Sequence, residues 1–146
     1  MRVLILCTAN SARSQMAEGL LRHEAGTSWE VFSAGAKPTR VRPEAITVMG
    51  EAGIDISGHH SKSVDEFLGQ DFDCVITVCD NARETCPVFP ARTKHIHWSI
   101  QDPAAIEGTT EDRLNAFRHA RDELQKRLRA FVREQTENPG EGPVTK

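Results

Sequence analysis

The sequence predicts an α/β fold in which helices flank a parallel sheet of four strands. Four short runs rich in apolar and β-branched residues are typical of buried strands, at 2–7, 29–34, 73–79 and 94–99. Segments with apolar residues at helical spacing lie between most of these runs. Strands that alternate with helices in this way are typical of β-α-β units, whose strands run parallel.

The shorter helices are predicted from apolar spacing and from residues that start or stop a helix. A helix at 14–25 should pack four apolar side chains on the sheet, namely Met16, Ala17, Leu20 and Leu21. A helix at 43–53 starts with proline and ends with glycine, which is the order expected at helix ends. A still shorter helix is predicted at 64–69.

The longest predicted helix lies within 111–135 and should run across the sheet. Its apolar residues recur at spacings of three, four and seven: Leu114, Phe117, Leu124, Leu128 and Phe131. The segment 136–146 has two prolines, two glycines and little apolar content, so we expect a flexible tail there. Residues 1–135 should form one domain, because a chain of 146 residues suits a single core.

Composition argues against nucleic-acid and membrane partners. The chain is 38% hydrophobic and 27% charged, with a net charge of −3. It has no apolar stretch near the ~20 residues that span a bilayer. Its first residues hold one basic side chain and a short apolar run, unlike a secretory signal, so we expect a cytoplasmic protein.

Four cysteines need separate interpretation, because structural disulfides are rare in the cytoplasm. They are Cys7, Cys74, Cys79 and Cys86. Cys74 falls inside the third strand and is interpreted as a small buried apolar residue. A zinc site that joins His95 and His97 to Cys79 and Cys86 is disfavoured, because the close cysteine pair of such sites is missing. No metal or cofactor is expected, and His59 and His60 receive no assigned partner.

The stretch CTANSARS, residues 7–14, predicts an anion-binding loop. Cys7 ends the first strand and Ser14 begins a helix, so residues 8–13 lie at the carboxyl edge of the sheet, where ligands bind in such folds. Backbone N–H groups of the loop and the positive end of the helix suit an oxyanion. Small side chains let the backbone wrap the anion closely, and Arg13 would hold two of its oxygens.

Cys7 is predicted to be a nucleophile beneath the bound anion. The positive field that binds an anion also stabilises a thiolate, and Ser14 can donate to the sulfur. A chance pairing of Cys7 with Arg13 is the alternative, but the pair occupies a strand-loop-helix junction. No lysine follows a glycine as in nucleotide-binding phosphate loops, which disfavours an NTPase. The predicted substrate-binding residues are Thr8, Ala9, Asn10, Ser11, Ala12, Arg13 and Ser14.

The residues so far described resemble a known family. VLILCTANSARSQMAEG is similar to the phosphate-binding loop of the low-molecular-weight protein tyrosine phosphatase fold, and HWSIQDP is similar to its aspartate-proline loop. The resemblance covers roughly residues 1–133 and includes FSAG and GIDISGHHS. It implies a single-domain three-layer sandwich. Within that fold the stretch VCDNARETCP is most similar to thioredoxin-coupled arsenate reductases.

The resemblance implies a relay of three thiols. Cys7 attacks arsenate, and Cys79 then attacks the sulfur of the Cys7–arsenic adduct and releases arsenite. Cys86 takes over the disulfide from Cys7, and thioredoxin reduces the resulting Cys79–Cys86 bond. Phosphate and sulfate should compete with arsenate as oxyanions. Glutaredoxin with glutathione, or another small thiol, stays open as the electron donor.

Two further roles follow from the resemblance. Asp102 matches the general acid of the family, with Pro103 stiffening its loop, although an aspartate before proline is also common in turns. Relatives often hold a potassium ion beside the loop, and Asn10, Glu18 and Ser33 match three of its ligands. The fourth position is Lys62, whose ammonium we expect to replace the ion and neutralise Glu18; a solvated surface lysine is the alternative.

Two other functions stay open. A phosphatase for protein tyrosines or small aryl phosphates shares the first step with the reductase and needs no second thiol. A module that binds oxyanions or senses redox state without catalysis would bind arsenate and release no arsenite.

Overall fold

The computed structural model describes residues 1–80 and 86–137, and its centre is a parallel sheet. The strands are β1 (Arg2–Cys7), β2 (Glu30–Gly35), β3 (Cys74–Thr77) and β4 (Lys94–His97), in the order β2-β1-β3-β4. Each neighbouring pair is parallel. The predicted α/β fold with a four-stranded parallel sheet is confirmed, with strand ends within two residues of those predicted.

The helices of the described residues also follow the predicted pattern. They are α1 (Arg13–Ala25), α2 (Pro43–Glu51) and α3 (Thr110–Glu137), with short 3-10 helices at Gly26–Ser28, Val64–Phe67 and Pro103–Ala105. The helix predicted at 64–69 is one of these 3-10 turns. α3 continues to Glu137, into the segment expected to be a tail, and residues 138–146 of that segment lie outside the described residues. No described helix has the length and apolarity needed to span a bilayer.

One part of the core lies on the face of the sheet that α1 covers. The four apolar side chains predicted to face the sheet from α1 are fully buried: Met16, Ala17, Leu20 and Leu21. α3 buries Phe117, Leu124, Leu128 and Phe131, and Leu114 packs at the margin. The closest packing of α3 is with α1 and α2, and the Phe131 ring lies 5.8 Å from the Trp29 ring. The long helix therefore packs mainly on α1, and α1 packs on the sheet.

Aromatic side chains cover the opposite face of the sheet. Ser33 of β2 bonds to Glu18 of α1, so side-chain alternation directs the preceding residue, Phe32, away from α1. The Phe32 ring lies 5.6 Å from Phe67 and 6.0 Å from Phe72. Because both faces are covered, β1 is buried almost throughout, as expected for a central parallel strand.

Strand order places a crevice between the carboxyl ends of β1 and β3. The chain passes from β1 to β2 on one side and then to β3 on the other, which makes this the topological switch point. Ligands bind at such points in open α/β sheets. Cys7 ends β1 and Cys79 follows β3 by two residues, so both sulfur-bearing residues lie at this edge.

Candidate active site

The loop between β1 and α1, residues 8–12, turns its carbonyl groups toward the protein. Four consecutive carbonyl oxygens accept hydrogen bonds from other segments: Thr8 from Lys37 N (2.9 Å), Ala9 from Thr39 N (3.2 Å), Asn10 from Ser61 Oγ (2.6 Å) and Ser11 from Arg42 N (2.8 Å). A trans peptide directs its N–H opposite to its carbonyl. The N–H groups of residues 9–12 therefore face the concave side of the loop, where they can bind an oxyanion.

Asn10 fixes the shape of this loop. It is fully buried and has φ 50°, in the left-handed region that asparagine tolerates better than most residues. Its Oδ1 accepts from Gln15 Nε2 (2.8 Å) and from Lys62 N (2.9 Å). Its Nδ2 donates to Ser14 Oγ (2.7 Å) and to Ser33 Oγ (3.0 Å). Both polar atoms of the amide are thus used, as a buried side chain requires.

Cys7 receives a directed hydrogen bond from Ser14. The Cys7 sulfur is buried and lies 2.8 Å from Ser14 Oγ. Because Asn10 Nδ2 already donates to that oxygen, the Ser14 hydroxyl hydrogen is available for the sulfur. Ser14 Oγ thus connects Cys7 to the asparagine that shapes the loop.

Gly35 allows the loop to lie against β2. It pairs with Cys7 in the sheet register, and a Cβ there would lie 2.4 Å from Thr8 O and 2.8 Å from Asn10 N. Both obstacles are backbone atoms of the anion loop. Any larger residue would push the loop away from the sheet edge.

Arg13 is the first residue of α1, one position earlier than predicted, and its guanidinium reaches the loop that bears Asp102. Its Nη1 donates to Ile100 O at 2.9 Å, and its Nη2 lies 3.9 Å from Asp102 Oδ2. Asp102 Oδ1 accepts from Ala104 N at 2.9 Å and so caps the 3-10 helix that starts at Pro103. The Asp102 carboxylate therefore caps a turn with one oxygen and faces Arg13 with the other.

Glu18 lies beneath the loop among basic groups. Its side chain is 4% exposed and accepts from Ser33 Oγ at 2.6 Å. Arg22 Nη2 lies 3.0 Å from one carboxylate oxygen, and Lys62 Nζ lies 3.6 Å from the other. The predicted proximity of Lys62 to Glu18 is therefore present in the structure. Lys62 Nζ also donates to His60 O at 3.1 Å.

His59 packs beside the same carboxylate. Its Nδ1 lies 3.0 Å from Gln15 Oε1 and 4.0 Å from Glu18 Oε2. Burial lowers the pKa of His59, the charge of Glu18 raises it in part, and Arg22 and Lys62 lower it further. The imidazole is consequently neutral at pH 7.

The remaining thiols differ in burial. Cys79 is buried, and its sulfur lies 3.4 Å from Thr8 Oγ1 at the mouth of the anion loop. Cys86 is half-buried, and burial raises the pKa of its thiol. Cys74 lies in β3, where burial raises the pKa of its thiol to about 12, in keeping with its predicted packing role. Residues 81–85, which join Cys79 to Cys86, lie outside the described residues.

Several residues that sequence reasoning missed support this site. Gln15 is fully buried and donates from Nε2 to Asn10 and to His60 O, while His59, which the sequence left without a partner, bonds to its oxygen. Ser61 bonds to two loop carbonyls. A polar residue at the start of an amphipathic helix gives no apolar signal, so only its place in the resembling stretch could have indicated Gln15.

The described residues contain no group of three or more histidine, cysteine or acidic side chains that could hold a metal. The two histidines of β4 make other contacts. The His95 ring lies 6.0 Å from the Phe89 ring, and His97 bonds to Thr77 and Asp80.

The class of protein follows from this loop and from comparison with known families. The chain belongs to the low molecular weight phosphotyrosine protein phosphatase family, whose model matches residues 2–139. It is 44% identical over 130 residues to an arsenate reductase of Halalkalibacterium halodurans, which covers 89% of this chain and 94% of that protein. The arsenate reductase of Bacillus subtilis is 41% identical with the same coverage.

Solved structures show the same similarity. An arsenate reductase in its oxidized state matches with a TM-score of 0.79 and 32% identity, over 91% of this chain and 97% of that chain. An arsenate reductase in the phosphate binding state matches with a TM-score of 0.74, at the same identity and coverage. A thioredoxin-dependent arsenate reductase of Corynebacterium glutamicum matches with a TM-score of 0.65 and 29% identity, over 89% of this chain and 62% of that chain.

Proposed function

We propose that this protein is an arsenate reductase whose three thiols are Cys7, Cys79 and Cys86. The observation that carries the proposal is the contact between Cys79 Sγ and Thr8 Oγ1, 3.4 Å, which brings a second thiol to the loop that starts at Cys7. A phosphatase needs one cysteine here, whereas reduction of arsenic(V) needs two electrons from further thiols. Similarity to arsenate reductases over most of the chain supports the same conclusion.

The first step is attack on arsenate held in the loop. The N–H groups of residues 9–12 and the Arg13 guanidinium bind the oxyanion, and phosphate or sulfate compete because they are also tetrahedral and negatively charged. The Cys7 thiolate forms a sulfur–arsenic bond as an arsenate hydroxyl group takes up one proton and leaves as water. Asp102, which lies 3.9 Å from Arg13 at the loop, is the general acid for this step in the proposal.

The second step is the reduction itself. The Cys79 thiolate attacks the Cys7 sulfur, forming a disulfide and breaking the sulfur–arsenic bond. The bonding electron pair stays on arsenic, so arsenic(V) leaves as arsenite while the two sulfurs are oxidised. Thr8 Oγ1 beside Cys79 is placed to donate to its thiolate.

The third step moves the oxidised pair outward. Cys86 attacks Cys79, which frees Cys7 and leaves a Cys79–Cys86 disulfide for thioredoxin to reduce. Burial raises the pKa of Cys86, so its reactive thiolate is scarce at neutral pH and the step should accelerate as pH rises. A relay of free thiols requires a reducing compartment, so we expect the protein to act in the cytoplasm.

Arsenite production tests the proposed function. The purified protein is supplied with arsenate, thioredoxin, thioredoxin reductase and NADPH, and in parallel with glutathione and glutaredoxin. Sustained arsenite formation in the first mixture is the expected result. Sustained formation only in the second would identify glutaredoxin with glutathione as the donor system, and arsenate binding without arsenite in either would favour a non-catalytic oxyanion module.

A phosphatase is the second candidate, favoured by the family and by the approach of Asp102 to Arg13 at 3.9 Å. A phosphocysteine at Cys7 is hydrolysed by water with no second thiol. Rapid steady hydrolysis of an aryl phosphate without reductant, combined with no arsenite formation, would support this function. Weak hydrolysis beside arsenite formation is compatible with the reductase, because both reactions begin at Cys7.

A further inference from the structure

Asp80, the residue directly after Cys79, is held by two side chains from the β4 end of the sheet. Its Oδ1 accepts from Ser99 Oγ at 2.6 Å and from His97 Nε2 at 2.9 Å. The other ring nitrogen of His97, Nδ1, lies 2.7 Å from Thr77 Oγ1. We call these four residues, Thr77, Asp80, His97 and Ser99, the Asp80 clip.

The bonds of the clip have a defined direction. A carboxylate only accepts, so His97 Nε2 donates to Asp80, and Nδ1 of a neutral ring accepts from the Thr77 hydroxyl. Thr77 ends β3 and is 5% exposed, so its hydroxyl is enclosed by the sheet.

The clip joins the Cys79 segment to the segment that holds Arg13. Backbone bonds from Trp98 N to Thr77 O (2.9 Å) and from Ile100 N to Val78 O (3.3 Å) run alongside it. The carbonyl of Ile100 accepts from Arg13 Nη1 at 2.9 Å. The residues on each side of Cys79 are therefore bonded to the segment 97–100. The same segment accepts a hydrogen bond from the anion-binding Arg13.

We propose that Asp80 is a positioning residue for Cys79, held by Ser99 and His97 so that the Cys79 sulfur stays at the mouth of the anion loop. This inference rests on the proposed function, because only the reductase uses Cys79. Misplacing a reacting atom by about 1 Å can cost as much as ~10²-fold in rate. The Asp80 side chain is 72% exposed, so water competes for its bonds and the expected effect is smaller.

The test separates the two chemical steps in a Cys86→Ser background, where the relay stops at the Cys7–Cys79 disulfide. Rapid mixing with arsenate measures arsenite release per protein, and hydrolysis of an aryl phosphate measures Cys7 chemistry alone. Asp80→Ala should slow arsenite release about three- to tenfold and leave aryl phosphate hydrolysis unchanged. Ser99→Ala, which removes only a hydroxyl, should slow release less, and its effect should vanish when Asp80 is already alanine.

Asp71→Ala is the matched control. It removes another exposed carboxylate, bonded to Arg92 at 2.7 Å, that lies before β3 and outside the clip. Its two rates should match the parent. Equal slowing of both reactions by Asp80→Ala, unchanged arsenite release, or faster release would each overturn the positioning role. Absence of arsenite from the parent protein would overturn the proposed function, and the clip with it, whatever the clip variants do.

Discussion

The two chain segments that meet at the carboxyl edge of the sheet are held in different ways. The loop after β1 is fixed by four backbone carbonyls and by a buried asparagine whose amide is fully bonded. The chain after β3 has backbone bonds at Val78, to Leu6 O and from Ile100 N, and it is also held by the exposed side chain of Asp80 and, past residues 81–85, by Phe89, whose ring packs 6.2 Å from Phe72. The first segment is held by backbone bonds and a buried amide, whereas the second depends in part on a carboxylate that is exposed to water.

This difference matches the chemistry proposed for each segment. A loop that recognises a tetrahedral oxyanion must have its donors in place before the anion arrives, because reorganisation would weaken binding. Thiols that pass a disulfide outward must move, so weak and exposed attachments suit them. The following predictions either disrupt the loop after β1 or measure the contacts that hold it. They run from the largest expected effect to the smallest.

Cys7→Ser should abolish both arsenite formation and aryl phosphate hydrolysis, because both begin with attack by this sulfur. Cys74→Ser is the control, since the pKa of the Cys74 thiol is about 12 and it is buried in β3. That variant should keep both activities. Arsenite formation by Cys7→Ser would show that the nucleophile lies elsewhere.

Gly35→Ala should break the rigid segment without touching a reactive group. The added methyl would lie 2.4 Å from Thr8 O, and we expect a loss of about 1–3 kcal/mol in the free energy of unfolding together with weaker phosphate binding. Gly50→Ala in α2 meets nothing within 4 Å and should gain up to about 1 kcal/mol. Chemical denaturation and calorimetric titration measure both effects. Undiminished phosphate affinity in Gly35→Ala would contradict the close approach of loop and strand.

Acidification should lower the stability of the folded protein, because it protonates His59 beneath the loop after β1. Its pKa in the folded state is lowered from 6.5, so its contribution to stability is complete above that value and is lost as pH falls through the lowered pKa. His59→Gln keeps a side-chain donor that can face Gln15 and removes the titration. Between about pH 7.5 and pH 5.5 the melting temperature should therefore fall more in the parent than in His59→Gln. Parallel pH profiles of the two proteins would contradict this contribution.

Exchange of potassium for sodium at constant ionic strength should leave arsenate affinity unchanged. Lys62 Nζ lies 3.6 Å from Glu18 Oε1, and we propose that this ammonium takes the place of a bound cation. Affinity and melting temperature in the two salts measure the effect. A potassium-specific gain in either would show that an ion binds beside Glu18 despite the lysine.

The strands, the helices and the anion loop could be predicted because each depends on residues that are close together in the sequence. Apolar runs mark the strands, apolar spacing marks α1 and α3, and Cys7 to Ser14 form one continuous segment. The placement of Lys62 near Glu18 came from the family resemblance and not from spacing. The predicted third and fourth strands end two residues later than β3 and β4 do. Backbone hydrogen bonds of Val78 and Trp98 extend the pairing past the ends of these strands.

The supporting contacts could not be predicted because they depend on which distant segments the fold brings together. Gln15 bonds to His59 and His60, which lie 44 and 45 residues away in the sequence, so these contacts arise only in the folded chain. The Asp80 clip depends on the register of β3 and β4, which pairs Thr77 with His97. Gly35 shows no φ above zero, so its need for glycine arises entirely from the neighbouring loop.

The order of the thiols is tested most directly by one turnover of arsenate in Cys86→Ser, with the disulfide located by mass spectrometry. The proposed relay predicts about one arsenite per protein and a Cys7–Cys79 disulfide that accumulates, because the attacking sulfur of the last step is missing. Cys79→Ser, treated in the same way, should release no arsenite. Sustained turnover of Cys86→Ser with thioredoxin, or arsenite release by Cys79→Ser, would contradict the relay.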